Sequence, residues 1–215
     1  MQSEEARHNM IECQIRPWNV VSDDVLTLLQ QIPREFFVPS DYKELSFADI
    51  EVPLGHGESM MAPKIEAHVL QSLDIHPGER VLEVGTGSGY LTACLAWLSG
   101  DVTSIEQHAD LADSAAEKLA ALDFEAKIIT GDAFDLDEIE IFDIIVVTGS
   151  LPQRTDFFEQ HLADDGRLFQ VVGKGSSATA ELVTAVGDNS FKRKALLETA
   201  LKPLTNAPEV SEFSF

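Results

Sequence analysis

Three glycines in five residues, Gly85-Thr86-Gly87-Ser88-Gly89, separate the apolar run Val81-Leu82-Glu83-Val84 from a run of helical composition that begins at Tyr90. Glycine adopts positive φ at no steric cost and brings the main chain against a ligand without an intervening Cβ. A strand, a glycine turn and a helix in direct succession therefore form a cradle for a nucleotide or nucleoside at the carboxyl edge of a parallel sheet. The dinucleotide pattern GxGxxG needs its third glycine at position 90, where Tyr90 stands, so the fit to a nicotinamide dinucleotide is imperfect. No lysine follows where a phosphate-binding P-loop requires one, which removes that reading.

From residue 80 onward, short apolar runs alternate with amphipathic stretches, the pattern of parallel strands joined by crossover helices. Strands are read at 80–84, 101–106, 125–129, 142–147 and 167–172, and helices at 90–98, 109–122 and 153–162. In the second of these helices Leu111, Ala115, Leu119 and Leu122 recur on one face. Two further β-prone segments, 181–186 and 195–201, have no convincing helix between them and read as an antiparallel hairpin on the sheet's edge. Nearer the N-terminus, Ser22 caps a helix that carries Asp23 and Asp24 in its first turn, buries Val25, Leu28, Leu29 and Ile32, and ends at Pro33. Residues 51–62 read as a loop, and a helix from Pro63 turns Ile65, Val69, Leu70 and Leu73 inward.

The expected fold class is α/β: a Rossmann-like, doubly wound, seven-stranded and mostly parallel sheet with an N-terminal helical extension and a C-terminal antiparallel hairpin. With 215 residues, 44% of them hydrophobic, the chain is long enough for one compact core. One domain is expected, with N-terminal helices and a loop over 1–75, the glycine-turn core over 76–175, and strands and tail over 176–215, where Phe213 and Phe215 are able to dock. The formal charge of −22 repels a phosphate backbone and argues against nucleic-acid partners. Cys13 and Cys94 are far apart, and no CxxC, HExxH or Cys/His cluster occurs, so neither a disulfide framework nor a metal is expected. The N-terminus lacks the basic start and apolar run of a signal peptide, and no stretch is long and apolar enough to span a bilayer; a cytoplasmic protein without a membrane partner is the expectation.

Carboxylates complete the glycine turn. Glu106 ends the second strand, where its two oxygens can accept both hydroxyls of a ribose, and Asp132, followed by Ala133 in Thr130-Gly131-Asp132-Ala133, lies at the same edge after the third strand. Glu83 is a carboxylate inside an apolar strand, costly unless satisfied, which either holds the glycine loop in shape or approaches the ligand. Together these residues form a crescent around one nucleoside. The combination E-V-G-T-G-S-G, Glu106 and Gly131-Asp132 resembles the class I S-adenosylmethionine methyltransferases, whose seven-stranded sheet has its last strand antiparallel. The segments NMIECQIRPWNV and PREFFVP within 8–38, DIEVPLGHGESMMAP at 49–63, and FDIIVVTGSLP, DDGRLFQVVG and KPL further on resemble the protein-L-isoaspartate O-methyltransferase family over nearly the whole chain.

That resemblance implies S-adenosylmethionine as cofactor, held by Glu83, Gly85, Thr86, Gly87, Gly89, Glu106, Asp132 and Ala133. It also implies isoaspartyl-containing proteins or peptides as substrate, bound by Gly57, Glu58, Ser59, Met60 and Met61. The family methylates the free carboxylate of an isoaspartyl residue; the ester collapses to a succinimide that can reopen as aspartate. In the family the loop reads G-x-G-Q-T-I-S-x-P. Here Gly55, Gly57 and Pro63 match and Ser59 keeps the hydroxyl of the threonine, but Glu58 replaces the glutamine and Met61 replaces the active-site serine. A thioether donates no hydrogen bond and Glu58 adds a negative charge, so Ser59 is the candidate to supply the missing donor. The family's R-F-V-P-L peptide wall appears as Ala200-Leu201-Lys202-Pro203-Leu204, and its P-V-G as Val171-Val172-Gly173. His56 lies inside the loop and is either solvated or functional. Two alternatives stay open: a family member that methylates a small-molecule acceptor, and a non-catalytic protein that binds the cofactor.

Overall fold

The computed structural model describes residues 2–135, 140–175 and 178–208. Seven strands form the central sheet: β3 (Arg80–Val84), β4 (Asp101–Glu106), β5 (Lys127–Thr130), β6 (Phe142–Leu151), β7 (Leu162–Val172), β8 (Thr179–Ala185) and β9 (Phe191–Glu198), in the order β5-β4-β3-β6-β7-β8-β9. β3 to β7 pair in parallel, as a chain of crossovers demands, while β8 runs antiparallel to β7 and β9 antiparallel to β8. The chain turns twice, so β9 again runs with the core and β8 is the reversed strand, not the last one. Sequence order proceeds outward from β3 in one direction through β4 and β5, then resumes on the other side at β6. The crevice between β3 and β6 is thus the topological switch point, where ligands bind in sheets of this kind.

Alternation along the strands sorts the core onto two faces. Val81, Ile144, Val146, Phe169 and Val171 belong to one buried cluster and Leu82, Val84, Ile145, Val147 and Leu168 to another, the period of two that a sheet covered on both sides produces. The first cluster takes in α2 (Asp23–Gln31), α4 (Pro63–Leu73) and α5 (Tyr90–Ser99), together with Phe37 of α3 (Arg34–Phe37) and Leu119 of α6 (Ala109–Ala121). α1 (Gln2–Met10) opens the chain and runs into a π-helical turn at Ile11–Ile15 and a 3-10 turn at Arg16–Trp18. The Ser22 cap holds as read: its hydroxyl accepts the Val25 N–H, and Val25, Leu28 and Leu29 are buried.

The strand order is that of the expected doubly wound sheet, but its second face is covered without the helix expected at 153–162. Among the described residues no α-helix contributes to the second cluster, and the helix expected at 153–162 is a loop with one 3-10 turn at Glu159–His161. β6 continues to Leu151, and Pro152 disfavours a helical conformation just before it. Phe157 and Phe158 then pack with Phe134 as a trio of rings 5.0 to 5.4 Å apart, burying apolar area without a helix. Arg154 to Glu181 and Arg193 to Glu159 tie the segment to β8 and β9. Residues 51–62 form more than a loop: β1 (Val52–Gly55) and β2 (Glu58–Met60) pair as a hairpin with His56 and Gly57 at its tip, both at positive φ. No described helix is long and apolar enough to cross a membrane. Phe213 and Phe215 lie outside the described residues.

Candidate active site

A cleft opens at the carboxyl ends of β3, β4 and β6. Its floor is the glycine turn. Gly85 and Gly87 both have positive φ, and a Cβ on Gly85 would stand 2.2 Å from Thr148 Oγ1, so the turn lies against the end of β6 closer than any side chain permits. Thr148 fastens that approach by donating to the Val84 carbonyl at 2.8 Å. Gly87 N–H donates to Glu106 Oε2 at 2.8 Å and His108 N–H to Oε1 at 3.0 Å, which aligns the carboxylate and leaves lone pairs on both oxygens. Asp132 accepts the Phe134 N–H at 2.9 Å and the Asn206 side-chain amide at 2.5 Å. Ala133 and Gly131 line the same wall.

Glu83 reaches the cleft from beneath. Its Oε2 accepts from Thr92 and Ser104 hydroxyls, each at 2.6 Å, and Ser104 in turn meets Thr86 at 2.6 Å, so the carboxyl supports the loop. Its Oε1 is buried without a partner. Burial pushes the Glu83 carboxyl up to about 8, against the pull of the two hydroxyls, with the neighbouring Glu106 and Glu66 charges adding to the rise.

The structure brings Glu83, Gly85, Thr86, Gly87, Glu106, Asp132 and Ala133 onto one cleft surface, with Glu58, Ser59 and Met61 on the opposing wall. Three expected residues fall elsewhere. Gly89 is the N-cap of α5, where a Cβ would stand 3.0 Å from that of Ala115; it serves the packing of α5 on α6 and does not line the cleft. Met60 points away from Ser59 across β2 and is buried in the first core cluster. Gly57 sits at the hairpin tip, outside the cleft wall. His56 turns outward, stacked on His108 at 4.2 Å and bonded through Nε2 to Asp110 at 2.9 Å.

Other contributors escaped the sequence reading. Arg34, almost wholly buried, donates from Nη2 to the Met61 carbonyl at 2.8 Å, from Nε to the Ser46 carbonyl at 2.9 Å, and from Nη1 to Glu66, which itself lines the cleft. Burial lifts the Glu66 carboxyl to about 7 while the Arg34 charge pulls it down. One signal existed: Glu66 lies four residues before Leu70 and seven before Leu73, on the buried stripe of α4, where a carboxylate needs a partner. The C-terminal wall, which the resemblance did imply at 200–204, lines the cleft from Leu201 to Thr205 and is set against β6 by Ser150, which bonds to the backbone of Leu201, Lys202 and Leu204. Gly149 makes that contact possible, since a Cβ there would stand 2.5 Å from Leu204 Cδ2. Among the described residues no group of three or more His, Cys, Asp or Glu is placed to hold a metal ion.

Comparison with known proteins places this geometry. The family model for protein-L-isoaspartate(D-aspartate) O-methyltransferase matches residues 5–209. A protein-L-isoaspartate O-methyltransferase of Methylorubrum populi is 33% identical over 200 residues, 93% of this chain and 94% of the relative. Protein-L-isoaspartate O-methyltransferase 1 of Rhodopseudomonas palustris is 38% identical over 174 residues, 80% of this chain and 71% of the relative. Among solved structures, one from Plasmodium falciparum described as this enzyme in complex with S-adenosyl-L-homocysteine superposes with a TM-score of 0.82 at 23% identity, covering 94% of this chain and 98% of that one. Fold and matched family together define an S-adenosylmethionine-dependent methyltransferase. The chain belongs to the protein-L-isoaspartate O-methyltransferase family.

Proposed function

We propose that this protein methylates the free carboxylate of isoaspartyl residues in damaged proteins, with the methyl donor in the glycine-floored cleft and the acceptor entering between the β1–β2 hairpin and the 201–205 wall. The observation that carries the reading is the meeting of those two walls over the switch-point crevice, in a chain matched by the family from residue 5 to residue 209. The residues fit the donor. Glu106 and Asp132 offer acceptors to the ribose and adenine side, and the partnerless Glu83 Oε1 is an acceptor that the donor's ammonium would satisfy. Gly85 and Gly87 let the turn approach it. Bound S-adenosylmethionine supplies a methyl carbon made electrophilic by its positively charged sulfur.

The chain's own contribution is alignment and exclusion of water. An isoaspartyl carboxyl is ionised near neutral pH and needs no general base. With the donor bound, a carboxylate oxygen would accept the methyl group and S-adenosylhomocysteine would be the product released. Holding oxygen, carbon and sulfur in line therefore lowers most of the barrier that proteins can lower here. Ser59, exposed on β2 and facing the cleft, is the hydroxyl able to donate to the acceptor; Met61 closes the wall beside it with its carbonyl fixed by Arg34. Leu54 lies over the glycine turn, 3.1 Å from where a Gly87 Cβ would be. Ser59→Ala is expected to lower kcat on isoaspartyl peptide about tenfold while leaving S-adenosylhomocysteine affinity unchanged; equal turnover would remove Ser59 from the mechanism. The free thiols of Cys13 and Cys94 suit the reducing cytoplasm we propose as its setting.

The presence of Glu58 and Met61 on the acceptor wall favours one second reading, transfer to a small-molecule acceptor. Labelling of a low-molecular-weight fraction of cell extract, with isoaspartyl peptide left unlabelled, would select it.

A further inference from the structure

We propose that Lys202 is the specificity-determining anchor for the acceptor's carboxylate, an inference that rests on the function proposed above. The cleft is lined by six carboxylates, Glu51, Glu58, Glu66, Glu83, Glu106 and Asp132, and among the described residues that line it Lys202 is the one cation. The whole chain carries −22. Burial raises the Glu83 and Glu66 carboxyls and Glu66 is paired with Arg34, so the repulsion an anionic acceptor meets at this mouth comes from Glu51, Glu58, Glu106 and Asp132, and Lys202 is the lining charge that attracts it.

Three features set Lys202 in place before any acceptor arrives. Its backbone is fixed on the end of β6, where Ser150 N–H donates to the Lys202 carbonyl at 2.9 Å and Pro203 forms a bridge with Ser150. Its ammonium donates to Glu58 Oε1 at 2.5 Å and lies 3.5 Å from the His56 carbonyl oxygen, spanning from the C-terminal wall to the hairpin tip. Glu58 is also held by Gln107 Nε2 at 3.3 Å, so it stays in position as the aiming partner. An ammonium has three donors. With one on Glu58 and one toward His56, the third remains for a carboxylate entering the cleft, and the half-exposed side chain stays accessible to it.

This arrangement also accounts for Glu58. It steers the ammonium but draws on the same charge that the acceptor needs. The two residues therefore act with opposite sign on acceptor affinity, whereas a pair that merely straps the hairpin to the C-terminal wall acts with one sign, because either substitution breaks the strap.

The test measures binding of an isoaspartyl peptide to the S-adenosylhomocysteine-loaded enzyme by calorimetry, alongside KM and kcat for the same peptide. Lys202→Met is expected to weaken peptide binding and raise KM about tenfold, the range for a lost charge-assisted hydrogen bond. S-adenosylhomocysteine affinity and kcat stay within about twofold, Lys202→Arg retains binding, and Glu58→Gln tightens it. Lys194→Met, which removes one positive charge from exposed β9, leaves binding unchanged. Peptide affinity falling equally in Lys202→Met and Glu58→Gln, or no shift in either, overturns the anchor and leaves the methyltransferase reading standing if the parent turns the peptide over. Opposite shifts in a parent that binds but never methylates the peptide uphold the anchor and overturn the reading.

Discussion

Glu83 shows what a single buried carboxyl does at this site. With one oxygen bonded twice and the other unpartnered, it is held near 8 by burial, far above its value in an unfolded chain. Between about pH 4.5 and about pH 8 the folded protein thus binds a proton that the unfolded chain has released. Stability from this group is full below the lower value and falls as pH rises through the window, by at most about 1.4 kcal/mol per pH unit. Glu83→Gln is expected to flatten that decline in thermal melts taken from about pH 5 to about pH 8; an unchanged slope would mean the carboxyl is ionised in the fold. Donor binding runs the other way. An ammonium against Oε1 favours the ionised form, so S-adenosylhomocysteine binding near pH 7 releases a proton, visible as a buffer-dependent calorimetric enthalpy. Gly87→Val is the complementary test: with φ at +53° and Leu54 close by, a branched side chain crowds the floor, so cofactor binding is lost while the circular dichroism of the core persists.

At the scale of elements, the Arg34–Glu66 pair joins α3 to α4 and carries the Met61 carbonyl on its third donor. Removing one partner leaves an uncompensated buried group, so Arg34→Ala is expected to lower unfolding free energy by about 3–5 kcal/mol in urea titration. A loss below about 1 kcal/mol would show that water reaches Glu66 there. The pair also marks where sequence reading stops. β3, the glycine turn, α5 and β4 were legible because local pattern dictates them, and the position of Glu106 and Asp132 on the cleft was legible because a residue that ends or follows a parallel strand stands at the sheet's carboxyl edge. The helix expected at 153–162 was not there, because three phenylalanines cover the second face without one. The β1–β2 pairing hid behind glycines that read equally as loop. Arg34, Thr148 and Lys202 lie more than 50 residues from the glycine turn, in segments that the sequence marks by family resemblance alone; the folded chain brings Thr148 and Lys202 to the cleft and Arg34 to the Met61 carbonyl behind it.

For the molecule as a whole, charge and connectivity make separate predictions. A net charge of −22 on 215 residues opposes compaction by self-repulsion, so raising salt from near zero to about 1 M is expected to raise Tm; a fall would point to ion pairs such as Arg193 with Glu159 outweighing the repulsion. The first core cluster already joins N-terminal helices, sheet and β8, and on that basis we propose that 1–215 unfolds as one unit, with fluorescence and circular dichroism transitions coinciding. What the molecule exists to do is tested most directly by labelled methyl transfer from S-adenosylmethionine to a pair of peptides that differ only in an isoaspartyl or an aspartyl linkage. The account predicts base-labile methyl ester on the isoaspartyl peptide and background on its partner. Equal, background-level labelling of both would contradict it.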